Sequence, residues 1–138
     1  MIVLDENLPG SDAYARLFET TGWNDGYRAD PSELSRGIAE SWYTVSAYDG
    51  DELVGFGRVI SDGVLYAFIC DMIVAPEHQG HGIGSRILEA MLARCREAGL
   101  RVVWLMCAKG KTGFYEGHGF SPRPGDGPGM QLSLGDRS

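Results

Sequence analysis

No stretch of the sequence is apolar and long enough to cross a bilayer, although 43% of its 138 residues are hydrophobic. Met1 to Gly10 lacks the basic start and apolar run of a secretory leader, so the expectation is a cytoplasmic protein with no membrane partner. Positive charge is also scarce. Lys and Arg total 12 against 19 Asp and Glu, for a net charge of −7. That balance excludes a broad nucleic-acid footprint, which needs clustered cations to neutralise phosphates, and mildly favours a cationic partner. Cysteine is limited to Cys70, Cys95 and Cys107, an odd number, widely spaced in apolar surroundings. A disulfide framework is excluded, and reduced thiols packed in a core are expected. Repeats, low-complexity tracts and charge blocks are missing as well, which leaves one domain over residues 1–138.

What is present reads as a mixture of helices and strands. A short strand at Ile2 to Leu4 precedes a helix that Ser11 can cap, with Tyr14, Leu17 and Phe18 on one face and Gly22 at its end. Asp30 as N-cap, Pro31 at the first helical position and Glu33 at the capping-box position start a second helix, striped by Leu34 and Ile38. Asp49-Gly50 and Asp62-Gly63 then separate three strands, Trp42 to Tyr48, Leu53 to Ser61 and Val64 to Val74, in an antiparallel meander. Gly82 to Ala98 reads as a helix with Ile83, Ile87, Leu88, Met91, Leu92 and Cys95 on one face, stopped by Gly99. Val102 to Met106 is continuously apolar, as in a strand buried on both faces, and closes a βαβ crossover. A short helix around Gly113 to Glu116 and an alternating strand, Met130 to Leu134, complete the chain. The fold class is α+β, mixed, with about six to seven strands in a central mixed sheet and flanking helices.

One segment resists a purely structural explanation. Gln79-Gly80-His81-Gly82-Ile83-Gly84 leaves a strand, turns after Pro76 and enters a helix with three glycines in five positions. Each glycine in a helical first turn costs about 1 kcal/mol against alanine. Bare backbone there lets the amides converge on an anion, aided by the helix dipole, and phosphate is the natural guest. A P-loop is excluded because no Lys-Ser or Lys-Thr follows Gly84, and a dinucleotide fold because hairpins precede the helix. His78 and His81 are spaced three apart without a third ligand in pattern, so no metal is expected and a phosphate-neighbouring role fits better.

The order strand, Gln-x-x-Gly-x-Gly, helix, apolar strand, then Phe114-Tyr115-Glu116-x-x-Gly119-Phe120 resembles the GNAT superfamily of N-acetyltransferases, from about Trp42 to Phe120. The resemblance implies a GNAT-like fold and acetyl-CoA as co-substrate. It places the coenzyme A pyrophosphate on Gln79, Gly80, His81, Gly82, Ile83, Gly84 and Ser85, mostly through backbone amides. It sets the backbone of Met72, Ile73 and Val74 beside the pantetheine arm like an added strand. Many relatives carry an asparagine after the apolar strand, where this chain has Cys107-Ala108-Lys109. A homodimer is common among relatives.

Amide formation requires a neutral amine, a donor for the developing oxyanion and a proton for the departing thiolate. The resemblance gives the last task to Tyr115, whose alternative is a core tyrosine packing the short helix. Asp71 is the only carboxylate in the run Val64 to Val74. It stands where a carboxylate of the family often removes the ammonium proton; the alternative is a structural aspartate bonded to a nearby amide. Cys70 beside it raises a covalent acyl-enzyme, but no histidine-based activation is visible, so direct attack is preferred. Trp23, Asn24 and Trp42, with Tyr27 and Tyr43, are candidates to line the acceptor pocket. The tail Pro122 to Met130 resembles the branch containing arylalkylamine (serotonin-type) acetyltransferases, which favours a small amine. A non-catalytic acyl-CoA-binding module and a protein or peptide N-acetyltransferase remain open alternatives.

Overall fold

The structure, a computed structural model, describes residues 1–135. The last three positions of the expected domain lie outside the described residues. The chain packs as two compact units, Met1–Leu105 and a smaller one beginning at Met106.

The first unit is a five-stranded sheet in the order β1-β2-β3-β4-β5. β1 (Ile2–Asp5), β2 (Tyr43–Asp49), β3 (Glu52–Ser61) and β4 (Tyr66–Val74) pair antiparallel. β5 (Val102–Leu105) pairs parallel to β4, after the connecting helix α4 (Ile83–Glu97). Two turns fold the meander. At the second, Asp62 Oδ1 accepts the amides of Val64, Leu65 and Tyr66, so β4 begins two residues later than the expected Val64. The same three backbone bonds hold the Asp62 carboxyl below its ordinary range.

Helices cover both faces of the sheet. Ile83, Ile87, Leu88, Met91, Leu92 and Cys95 of α4 are all buried, which is the face that the 3.6-residue period predicts. A β-carbon on Gly57 would come within 2.7 Å of Met91 Cε and 2.9 Å of Ile87 Cγ2, so a bare backbone in β3 lets α4 settle close. Phe56, the preceding residue, points to the opposite face. There its ring meets Tyr14 of α1 (Ser11–Glu19), centroid to centroid 4.8 Å and 65° apart. Tyr14, Leu17 and Phe18 are buried as expected. α3 (Pro31–Ala39) packs with α1 and opens on the predicted capping box: Asp30 Oδ1 accepts the Glu33 amide, and Glu33 Oε1 accepts the Asp30 amide.

Several expectations are corrected. Ser11 is the first helical residue rather than the cap, and its hydroxyl donates to the Pro31 carbonyl. A one-turn helix α2 (Asn24–Tyr27) stands where no element was expected. β5 is the last strand of the sheet, not a central one, and therefore is not buried on both faces: Trp104 is 39% exposed and lies stacked on Tyr66 at 5.2 Å. Of the cysteines, all free, only Cys95 is buried; Cys70 is intermediate and Cys107 exposed.

Among its described residues the second unit holds α5 (Thr112–Glu116), several turns and otherwise irregular chain. Met130 to Leu134 forms no strand, and Met130, Leu132 and Leu134 stand at least 83% exposed. The alternation is real, but none of its residues is β-branched or aromatic, and a strand forms only where an edge pairs with it. Among the described residues the sheet accordingly has five strands rather than six to seven. Among the described residues no helix is long and apolar enough to cross a membrane.

Candidate active site

β4 has unequal neighbours. On one side β3 accompanies it to Val74, whereas on the other β5 pairs only with Tyr66 to Ile69. From Cys70 to Val74 the outer edge of β4 therefore has no strand partner within the first unit. The register also breaks there: Arg58 faces Cys70 and Phe56 faces Ile73, so Gly57 stands opposite two residues, Asp71 and Met72. This is a β-bulge, which twists a strand and re-aims its side chains.

Asp71 carries the bulge with φ +54°, one of only two non-glycine residues at positive φ among those described. Aspartate tolerates that region better than most residues, but the conformation has to be held. Two groups hold it. Arg58 Nε donates to Asp71 Oδ2 at 2.7 Å, with both side chains at most one-fifth exposed. The buried Tyr14 hydroxyl lies beside the same carboxylate. Burial, and then the Asp71 charge, push the Tyr14 phenol far above its ordinary value. Arg58 Nη1 reaches on to the Gly37 carbonyl at 3.2 Å and Ser41 Oγ at 3.4 Å. Gly37 contributes one of the last carbonyls of α3, so the guanidinium also closes that helix end.

A group whose folded pKa is raised stabilises fully below its unfolded value and loses that contribution as pH climbs. Above pH about 10, unfolding therefore becomes progressively easier because the released Tyr14 can ionise. Urea titrations at neutral and alkaline pH are expected to show a smaller alkaline loss in Tyr14→Phe than in the parent; equal losses would remove Tyr14 from the account.

Past Val74 the chain is pinned before it turns. The Ala75 amide donates to the Val54 carbonyl, and Gln79 Nε2 donates to the Val74 carbonyl at 2.9 Å. Gly80 and Gly82 then take φ +82° and +81°, and Gly82 is the N-cap of α4 with no side-chain cap bond. Space is not the reason for these glycines, since an added β-carbon would meet nothing within 4 Å at either; the backbone conformation is. Ile83 is buried and anchors the helix start. The uncapped first turn directs amides outward, as anion-binding helix termini do. His78 lies 3.3 Å from Asp49, and His81 Nδ1 lies 3.4 Å from the His78 carbonyl. No group of three or more His, Cys, Asp or Glu among the described residues is arranged to hold a metal ion.

In the second unit Tyr115 is half-buried between two rings, Phe114 at 5.0 Å and Phe120 at 5.7 Å, both edge-on. The Phe120 amide donates to the Tyr115 carbonyl, and Gly119 makes the intervening turn at φ +95°. Burial, then the nearby Cys107 thiol, raise the Tyr115 phenol. It therefore stays a proton donor across neutral pH. Cys107 Sγ sits 3.7 Å from Thr112 Oγ1.

Residues 11–120 match the sequence profile of the acetyltransferase (GNAT) family. The chain belongs to that family. It is similar to an uncharacterized ycf52-like N-acetyltransferase of Prochlorococcus marinus, 26% identical over 79% of this chain and 61% of that protein. The chloroplastic serotonin N-acetyltransferase 2 of Oryza sativa subsp. japonica is 35% identical over 51% of this chain and 36% of its own length. The chain thus spans less than two thirds of these curated relatives. Among solved structures, a protein of unknown function from meticillin-resistant Staphylococcus aureus aligns with a TM-score of 0.86 at 27% identity, covering 97% of this chain and all of that one. A GNAT family acetyltransferase of Streptococcus pneumoniae aligns at 0.76 with 28% identity, over 88% and 89% of the two chains.

The GNAT chain keeps its candidate residues in distinct places. Asp71 and Met72–Val74 share the edge of β4 that lacks a strand partner within the first unit, and Gln79–Gly84 follow after Ala75 and a 3-10 turn at Pro76–His78. The acceptor candidates are scattered. Asn24 is engaged in its own loop, donating to Glu19 Oε1 and the Ala29 carbonyl and accepting the Ala29 amide. Trp23 packs edge-on to Phe18 at 5.9 Å, and Trp42 lies under the Arg94 guanidinium of α4 at 4.5 Å. Arg58 was not singled out from the sequence. A signal existed: it is the only cation in the run Leu53 to Ser61, across a hairpin from the only carboxylate of the next strand.

Proposed function

We propose that this GNAT protein transfers an acetyl group from acetyl-CoA to the primary amine of a small molecule, in the cytoplasm, with both units serving one acetyltransferase domain. The observation that carries the reading is the unpaired edge of β4 from Cys70 to Val74, running straight into the glycine turn and uncapped start of α4. An extended pantetheine arm can pair with such an edge, and a pyrophosphate suits the amides of Gln79 to Ser85. In the proposed reaction the neutral amine attacks the thioester carbonyl, the new N–C bond forms and the C–S bond breaks. Asp71 takes the ammonium proton, directly or through water, and the Tyr115 hydroxyl returns a proton to the departing thiolate. The likeness to the rice enzyme favours a small amine over a protein chain, and the acidic balance of the chain suits a cationic acceptor. A homodimer belongs to the same reading.

Gly82→Ala tests the coenzyme half. Forcing a β-carbon into φ near +81° costs about 1–2 kcal/mol, and a loop that relaxes to avoid it no longer aims its amides. Coenzyme A affinity is expected to fall by about tenfold, read by calorimetric titration; unchanged affinity in a folded variant would separate the turn from the ligand. The acceptor half is tested by offering arylalkylamines and a lysine peptide together and weighing the products. Acetylation confined to the peptide would replace the small-amine reading.

A further inference from the structure

The carboxylate assigned to proton removal is not free-standing. It sits on a strained residue, in a bulge, tied to a guanidinium that spans three parts of the fold. Arg58 projects from β3 and contacts Asp71 in β4, the Gly37 carbonyl at the end of α3 and Ser41 in the segment leading into β2. Tyr14, 1% exposed, brings α1 into the same cluster. A planar guanidinium presents its donors in a rigid fork, whereas the three donors of an ammonium rotate about one nitrogen. Asp71 takes φ +54° in the bulge although it is not glycine, the residue best suited to that conformation. The conformation is held by tertiary bonds, and removing the central one frees the bulge to relax.

We infer that Arg58 is a positioning residue: it locks the β4 bulge to the end of α3, fixing the aim of the Asp71 carboxylate at the start of the open edge Met72–Val74. The inference rests on the acetyl-transfer reading for its kinetic consequence, but the lock itself can be measured without turnover. A carboxylate that takes and releases a proton each cycle has to recover one geometry, and a misplacement of about 1 Å costs about 10²-fold in rate.

The test compares Arg58→Met, Arg58→Lys, Asp71→Asn and the Arg58→Met/Asp71→Asn double variant with the parent, and uses Arg36→Met, at an exposed arginine of α3, as the control for lost charge. With a turned-over amine, Arg58→Met is expected to lower kcat by about 10²-fold and leave KM for acetyl-CoA within about twofold. Arg58→Lys should recover part of that loss, since it keeps the charge but not the three-way bridge. The double variant should be little worse than either single, as coupled residues are. Equal kcat for folded Arg58→Met and Arg36→Met, or strict additivity in the double variant, overturns the inference. If Arg58→Met does not fold, Arg58→Lys with Asp71→Asn supplies the same cycle. If the parent acetylates no amine, the functional reading fails separately, and hydrogen exchange decides the lock: amides of Asp71–Val74 should exchange about tenfold faster in Arg58→Met or Arg58→Lys than in the parent, and unchanged exchange overturns it.

Discussion

Replacing Tyr115 by phenylalanine is expected to lower kcat by about 10²–10⁴-fold with coenzyme A affinity intact. The substitution is clean because the ring stays where it is, wedged between Phe114 and Phe120; only the hydroxyl goes. The pH dependence carries a second signature. A phenol raised by burial keeps its proton below its raised pKa and loses it above, so parent activity should fall on the alkaline side beyond about pH 10, and the phenylalanine variant should lack that limb. Steady-state rates from pH 7 upward measure both. Full activity in the variant would reduce Tyr115 to a packing residue of α5.

The second large effect is on stability. Phe56→Ala removes a ring with 0% exposure that packs edge-on against Tyr14 and faces Ile73 across the β3–β4 ladder. A cavity of this kind costs about 3–5 kcal/mol, a large part of what a domain this size can lose. The void lies beneath Tyr14, so the Asp71 cluster should loosen along with the core. Urea unfolding gives the first quantity and the residual rate the second. A loss under about 1 kcal/mol would mean that α1 collapses onto the sheet and refills the space.

Local chemistry was the legible part of this chain. The Asp30–Glu33 capping box, the buried face of α4 and the glycine turn at Gly80 and Gly82 each depend on residues within a few positions of one another, and each stands as the pattern requires. Pairing was harder to read. The Asp71–Arg58 bond joins residues 13 apart through a register that shifts at Gly57, and no period in the sequence announces a bulge. Met130 to Leu134 alternates as a strand would, yet alternation specifies a face and not a partner. Val102 to Leu105 is apolar enough for a central strand and lies at the end of the sheet instead. The acceptor side suffers most, because aromatic residues such as Trp23 and Trp42 serve packing and ligands equally well; both are found in ring or cation contacts, and Asn24 is spent on its own loop.

The most direct test of the central claim follows thiol release from acetyl-CoA while an arylalkylamine is titrated in. Amine-dependent, saturable release, with one acetylated amine formed per thiol and a collapse of the rate in Tyr115→Phe, is the predicted result. Release that ignores the amine, or none at all across a broad amine panel although coenzyme A binds, would contradict an acetyltransferase acting on small amines.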